Sequence, residues 1–394
     1  MSRAVISLNS GSSSIKFALY DLDPAGMPRL AGGGKIDGIG TAPHLRAHRA
    51  DGALLAEREW PAHCDHRQLL SALFAWGAGL LGERQVIGIG HRVVHGGPAF
   101  HAPRIVDAAL LTQLEALNPL APLHQPHNLS AIRSIAELCP DLVQVACFDT
   151  AFHHAMPAVA TRFAIPRAFH DRGIRRYGFH GLSYEYVAQR LRAIDPALAS
   201  GRVIAAHLGN GASLCAMDNG RSVDTTMGFT ALDGLVMGTR CGTIDAGAVL
   251  HLQTRLGMGA VEVEDMLYFR SGLLGVSGVS SDMRALSAST APAAEEAIEL
   301  FAWRAAREAG GLMASLGGLD GLVFTAGIGE NAANIRARIC DRLTWAGIAI
   351  DGQANLRGEP VISAKDSAVK VHIIPTDEEG MIAHHTIAVL EQGG

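Results

Sequence analysis

Val5-Ile6-Ser7-Leu8-Asn9-Ser10-Gly11-Ser12-Ser13-Ser14-Ile15-Lys16-Phe17-Ala18-Leu19-Tyr20 carries the pattern from which the fold is read. Two strand-like runs flank a turn of glycine and serines, which predicts a β-hairpin. Gly11 lets the backbone bend tightly, the serines offer hydroxyls and amide N–H groups, and Lys16 adds a point charge. The turn therefore has the parts of a phosphate cradle. It is not the G-x-x-x-x-G-K-[ST] loop, because strand and not helix follows it. A polar hairpin turn with a solvated lysine explains the same residues.

The outline recurs later in the chain. Residues 203–208 read as a strand, Gly209-Asn210-Gly211-Ala212-Ser213 as a second small polar turn, and 214–217 as a second strand. A repeat this long suggests two related domains facing each other across a cleft. At 394 residues the chain also exceeds what one hydrophobic core usually serves. The expected division is an N-terminal ATPase-like domain at 1–150 and a nucleotide-binding domain at 151–380. A C-terminal helix at 381–394 would pack back on the first domain. Between the hairpins, helical periodicity appears at 69–80, 107–117 and 129–138, and an apolar strand at 142–148 ends on Asp149. A helix at 294–316, a strand at 322–325, a helix at 332–343, a strand at 370–374 and a helix from about 378 complete the pattern.

Bulk properties exclude several functions. With 48% hydrophobic and 18% charged residues the chain is ordinary globular protein. A net charge of −5 gives no basic footprint for nucleic acid. The six cysteines are scattered without a C-x-x-C pair, which argues against a disulfide framework or a zinc site. The apolar run at 69–81 is too short and too glycine-rich to span a bilayer. Strand-like sequence begins at Ala4 with no apolar leader, so the cytoplasm is the expected compartment and the expected partners are small molecules.

Phosphoryl transfer needs N–H groups and cations around three phosphate oxygens, a metal held by carboxylates, and exclusion of water. Beyond the two turns, Arg92 and Arg240 lie in glycine-rich, otherwise apolar text, where a guanidinium can fork onto carboxylate or phosphate. Asp149 ends an apolar strand, where α/β folds place functional groups, though a helix cap or turn explains it equally. Glu378 and Glu379 open the last helix behind Asp377, and their local reading is dipole stabilisation. His124 and His180 sit in irregular segments without zinc spacing. One rival reading stands. Gly327, Gly329 and Ala332 satisfy G-x-G-x-x-A between a strand and a helix, and Asp351 follows at the distance of a ribose-binding acid, as in an NAD-dependent dehydrogenase. Glu330 counts against it, because its carboxylate stands where a pyrophosphate must approach.

Taken in order, NSGSSSIK (9–16), GHRVVHGG (90–97), APLHQPHN (121–128), VACFDTAFH (145–153), RRYGFHGLS (175–183), HLGNGAS (207–213), MGTRCGTID (237–245), FTAGIGEN (324–331) and PTDEE (375–379) resemble the acetate kinase family nearly end to end. The resemblance implies an α/β fold of the duplicated actin-like, sugar-kinase and Hsp70 type, with two domains around a nucleotide cleft. It implies ATP-dependent phosphorylation of acetate, with propionate as a possible second acyl group, and Mg²⁺, replaceable by Mn²⁺, held by Asn9 and Glu378. Arg92 would hold the carboxylate, Asp149 would orient substrate and metal, and His180 and Arg240 would stabilise the moving phosphoryl group. Lys16 would contact ATP, and the run His207, Leu208, Gly209, Asn210 and Gly211 would line its phosphates. Asp282, Met283, Arg284, Gly327, Ile328, Gly329, Glu330 and Asn331 would hold the nucleoside. Val94, Leu123 and Phe179, with His124 beside them, would wall the acyl pocket. A homodimer is also implied. An ATP-binding protein of the actin or chaperone kind without a small substrate is a third reading, but it gives Arg92 no task.

The sequence departs from the family text at several places. Ala231 and Asp233 stand in Thr230-Ala231-Leu232-Asp233 where T-P-[LM]-E is usual. Leu182 and Tyr184 replace Thr and His, Gln125 replaces Asn, Ala246 replaces Pro, and Ala326 replaces Gly. Ala231 bears on the acyl preference, since the usual proline helps to wall the pocket.

Overall fold

A computed structural model describes residues 2–11, 13–122 and 124–392. The chain divides into two compact units, Met1–Ala151 with Asp377–Gly394, and Phe152–Thr376.

In the first unit the opening hairpin forms as β1 (Arg3–Ser10) and β2 (Ser14–Leu22), antiparallel, with Asn9 opposite Lys16. β3 (Pro28–Asp37), β4 (His44–Arg49) and β5 (Leu54–Glu59) extend the meander. On the other side β6 (Gln85–Val93) runs parallel to β1, and β8 (Gln144–Phe148) parallel to β6, with the short β7 (Arg104–Ile105) at the edge. The strand order is β5-β4-β3-β2-β1-β6-β8-β7. One face buries Leu8, Ile15, Ile36 and Ile89 with Leu69, Leu70 and Ile135 from the helices His66–Ala78 and Gln125–Leu138. The other packs Val5, Ala18 and Tyr20 against Ala383 and Ile387 of the terminal helix Glu378–Gln392. Gly90 makes that contact possible, because a Cβ there would stand 2.1 Å from Thr386 Oγ1 and 2.5 Å from Ile382 Cγ2.

The second unit repeats the plan. β9 (Arg202–Leu208), β10 (Ala212–Asp218) and β11 (Arg221–Thr225) form an antiparallel meander. β12 (Gly321–Thr325) and β13 (Lys370–Ile373) add on in parallel to β9, giving the order β11-β10-β9-β12-β13. The segment β3-β2-β1-β6-β8 of the first sheet has the same order and the same strand senses. The echo between the two Gly turns is therefore a duplication of topology. The long helix Pro292–Leu316 packs on β10, and Tyr184, Val187 and Leu191 of the helix Gly181–Ile194 bury against Val203, Ala205 and Met217.

The helix anticipated at 332–343 forms as Ala333–Asp341. A separate short helix, Ala326–Asn331, precedes it directly at the end of β12, where a glycine turn is anticipated, and Ala332 at φ −102°, ψ 84° divides the two. The second unit ends at Thr376, and the chain returns to the first unit at Asp377. Asp377 Oδ1 accepts the Gly380 amide at 2.8 Å and so caps the terminal helix there. Among the described residues no helix is long and apolar enough to cross a membrane.

Candidate active site

The candidate residues fall into two groups, one in each unit. In the first, parallel register does the placing. Leu8 of β1 pairs with His91 of β6, Arg92 pairs with Cys147 of β8, and the Asp149 amide donates to Val93 O at 3.1 Å. Asn9, Arg92 and Asp149 thus stand at the carboxyl ends of three neighbouring strands, the usual location of function in an α/β sheet. Arg92 Nε donates to Asp149 Oδ1 and Oδ2 at 3.1 and 3.0 Å, and Nη2 donates to Oδ2 at 2.5 Å. Its Nη1 reaches Asn9 Oδ1 only at 3.5 Å, which leaves that edge of the guanidinium for another acceptor.

Asp149 is 1% exposed, and Glu378, first residue of the terminal helix, is also buried. Burial pushes the Asp149 carboxyl above its ordinary value against the pull of Arg92, and the Glu378 charge pushes the same way as burial. Burial works against the Arg92 cation too, but Asp149 and Glu378 outweigh it and raise its pKa. Lys16 Nζ lies 4.0 Å from Glu379 Oε1.

The loop after β6 is braced by groups that sequence reasoning passed over. Asn128 Oδ1 accepts the Val94 amide at 3.0 Å while its Nδ2 donates to Ser10 O at 2.6 Å, tying the two strand ends together. Gln125 Oε1 accepts the His95 amide and its Nε2 donates to His95 O, both at 3.0 Å. This explains the extra methylene at Gln125, where the family text has Asn. Val94 is buried, His124 precedes the helix Gln125–Leu138, and Leu123 lies outside the described residues.

In the second unit His207, next to last in β9, pairs with Ser213 of β10, and the turn between the strands closes through the Gly209 amide on Gly211 O at 3.0 Å. His180 precedes the helix Gly181–Ile194 in the left-handed region, φ 59° and ψ 25°, a costly conformation that sites of function retain. Its ring stacks on that of His207, centroids 4.1 Å apart. Glycine at 211 leaves room for the observed guanidinium position, since a Cβ would stand 2.6 Å from Arg240 Nη2 and 3.3 Å from His180 Nε2. The Gly238 amide donates to Asn210 O at 3.0 Å, and Arg240 Nη1 donates to Ala231 O at 2.6 Å. Asn210, Gly211, His180 and Arg240 are therefore one cluster. Phe179 is buried beside it, its carbonyl bonded to His153 Nε2 at 2.9 Å.

Of the other expected nucleotide residues, Leu208 is buried, and the turn abuts the helix Ala326–Asn331, since a Cβ on Gly209 would lie 3.7 Å from that of Ala326. Gly327, Ile328, Gly329, Glu330 and Asn331 all lie in this helix. Buried Arg336, absent from the sequence reading, holds its end by donating to Gly329 O and Glu330 O at 2.9 Å, and to Asn355 Oδ1 at 2.8 Å. Asp282 caps the helix Met283–Ala288 through the Arg284 amide at 2.8 Å, with Met283 buried.

The dehydrogenase reading fails on this geometry. Helix replaces the glycine turn that a pyrophosphate needs, and the Glu330 carboxylate accepts the Thr376 amide at 3.1 Å. Asp351, the supposed ribose acid, caps the helix Gly352–Arg357 through the amides of Gln353 and Ala354 at 2.8 and 3.0 Å.

The profile of the Acetokinase family matches residues 4–384. The chain belongs to the acetokinase family. Acetate kinase of Rhodopseudomonas palustris strain TIE-1 is 52% identical over 398 residues, covering 100% of both chains. That of Rhizobium meliloti is 46% identical over 389 residues, covering 98% of each. Among solved structures, a propionate kinase from Francisella tularensis superposes with a TM-score of 0.89 at 39% identity, covering 98% of this chain and 100% of its own. Acetate kinase of Porphyromonas gingivalis gives 0.85 at 35%, with the same coverage. As a member of this family the chain is a kinase that uses ATP as co-substrate.

Proposed function

We propose that the chain transfers the γ-phosphoryl group of ATP to acetate, reversibly, by direct in-line displacement to give acetyl phosphate and ADP. The observation that carries this is the Asn9–Arg92–Asp149 cluster at three adjacent strand ends of an acetokinase-family chain. A carboxylate is already a nucleophile at neutral pH, so the reaction needs no general base. Its barrier comes from bringing two anions together. Arg92 takes the acetate through the guanidinium edge that Asn9 holds loosely, with Asp149 fixing the rest of that group. His180 and Arg240 accept the charge that builds on the phosphoryl oxygens. Lys16, the turn at 207–211 and Asn210 steady the phosphates. Asp282, Met283, Arg284 and the helix Ala326–Asn331 hold the nucleoside, and Val94, Leu123, His124 and Phe179 enclose the acyl group.

The residues of the first cluster suit Mg²⁺, with Mn²⁺ as a substitute. Asn9, Asp149 and Glu378 are hard oxygen donors, and the two buried carboxylates disfavour each other's charge, a strain that a divalent cation relieves. When bound, the ion supplies charge neutralisation on the phosphates. The expected test is a hydroxamate assay with acetate, ATP and Mg²⁺. No acyl phosphate from acetate, propionate or butyrate would sink the reading.

Propionate is the second reading for the acyl group. Ala231 is smaller than the usual proline, and its carbonyl holds Arg240. One methylene is worth about 1–3 kcal/mol of discrimination. The ratio of kcat/KM for acetate, propionate and butyrate, in the native chain and in Ala231→Pro, decides it. The Ala231 carbonyl survives that substitution, so the Arg240 contact is kept.

The proposed oligomer is a homodimer. The helix Ala246–Thr254 has no buried residue, and Leu250, Leu256 and Val261 are 59%, 63% and 78% exposed, an apolar face suited to a second copy. The proposed compartment is the cytoplasm, which accords with six cysteines that form no disulfide.

A further inference from the structure

His180 and His207 stack with 17° between their ring planes, and each Nδ1 meets a serine hydroxyl. His180 Nδ1 is 2.8 Å from Ser213 Oγ, which is 2.5 Å from Tyr184 Oη. His207 Nδ1 is 2.9 Å from Ser183 Oγ, which is 2.9 Å from Thr376 Oγ1. All four hydroxyl-bearing residues lie in the second unit, and Ser183, Tyr184 and Ser213 are fully buried. The opposite ring nitrogens face the phosphate turn. A Cβ on Gly211 would lie 3.3 Å from His180 Nε2, and one on Gly209 would lie 4.0 Å from His207 Nε2.

We infer that two hydroxyl relays, Tyr184–Ser213 and Thr376–Ser183, hold His180 and His207 as a stacked pair of neutral imidazoles, each with its proton on Nε2 and aimed at the Gly209–Gly211 turn. The polarity follows from donor supply. A phenol is a stronger proton donor than an aliphatic hydroxyl, so the Tyr184 proton turns to Ser213 Oγ, 2.5 Å away. The Ser213 proton then turns to Nδ1 of His180. Thr376 donates to Ser183 Oγ, and the Ser183 proton turns to Nδ1 of His207. Two stacked imidazolium rings beside the Arg240 guanidinium would repel one another. Neutral rings with the proton on Nδ1 would point lone pairs at phosphate oxygens. The Nε2–H form avoids both, and it gives the turn two donors without extra charge. Tyr184, Ser213, Ser183 and Thr376 are thus positioning residues. Tyr184, where the family text has His, does its work through Ser213.

The inference rests on the kinase reading above, and one experiment separates the two. Full-length protein labelled with ¹⁵N-histidine is examined by long-range ¹H–¹⁵N correlation, with His180→Gln and His207→Gln used to assign the signals. Unprotonated Nδ1 and protonated Nε2 are expected in both rings. In Ser213→Ala the His180 proton redistributes over both nitrogens while His207 is unchanged. Its kcat falls about ten- to a hundredfold with little change in KM for ATP. Tyr184→Phe, which keeps the serine, falls less. Protons on Nδ1 of the two rings in the native protein would overturn the inference without touching an observed acetate kinase activity. Native kcat in Ser213→Ala would do the same. If that variant does not fold, Ser183→Ala read on His207 serves in its place, and the native spectrum needs no variant at all. A native protein that makes no acyl phosphate removes the kinase reading, while its tautomers can still be read.

Discussion

Arg92 and Asp149 form a buried pair that neither partner can lose cheaply. Arg92→Ala leaves the Asp149 carboxylate desolvated and unpaired, so the unfolding free energy should fall by about 3–5 kcal/mol, measured by urea titration. Adding Asp149→Asn should return most of that stability and none of the activity. Arg240→Ala removes a cation from the moving phosphoryl group and should lower kcat by about 10³–10⁵, with the fold intact by circular dichroism. Ala326 gives the opposite case. It holds φ 64°, where a side chain is disfavoured, so Ala326→Gly should stabilise the protein by about 1 kcal/mol or less. A lower urea midpoint would refute this. At this scale the sequence shows which residues are chemically able, and Asp149 is legible because an apolar run stops on it. It does not show who braces them. Gln125 serves His95, and Ser213 serves His180, across separations that only the folded chain closes.

The two hairpins were legible as elements because β-favouring residues flank small polar turns. β3, β4 and β5 were not. Gly32-Gly33-Gly34 interrupts any alternation in β3, and in β4 the alternation is short, carried only by the buried Leu45 and Ala47 among charged and polar neighbours. The glycines allow close approach, since a Cβ on Gly34 would stand 2.5 Å from Arg46 O. The turn between β9 and β10 shows the same logic at a site. Gly211→Ala drives a methyl into the Arg240 guanidinium, so kcat should fall about tenfold or more while thermal stability changes little, because Arg240 can swing away from the turn. A kinetically native Gly211→Ala would mean that this guanidinium position is not the working one. The helix Ala326–Asn331 is not legible in the sequence, because its G-x-G-x-x-A spacing is compatible both with a glycine turn and with an ordinary helix following a strand.

For the molecule as a whole, acid should be more damaging than base. Burial pushes His91, His95 and His153 down to about 4, so each takes up a proton only on unfolding. Their contribution is fully present above about pH 6.5 and is lost as pH falls toward 4, at about 1.4 kcal/mol per pH unit for each. Urea unfolding at pH 7, 6 and 5 should show the slope, and His153→Gln should flatten it. Sedimentation should find two copies, and Leu250→Asp with Val261→Asp should give one. A monomeric native protein at micromolar concentration would dismiss the proposed dimer face.

The first unit is assembled from the opening of the chain and its last helix, whereas residues 152–376 form an unbroken stretch. A ribosome therefore releases everything required for the second sheet before it releases Glu378, or the helix that covers β1 and β6. Newborn chains must wait with one sheet face bare until the helix Glu378–Gln392 has been made. Any message cut short before codon 378 yields a product with an uncovered apolar sheet and no Glu378, a species suited to removal by proteolysis and incapable of turnover.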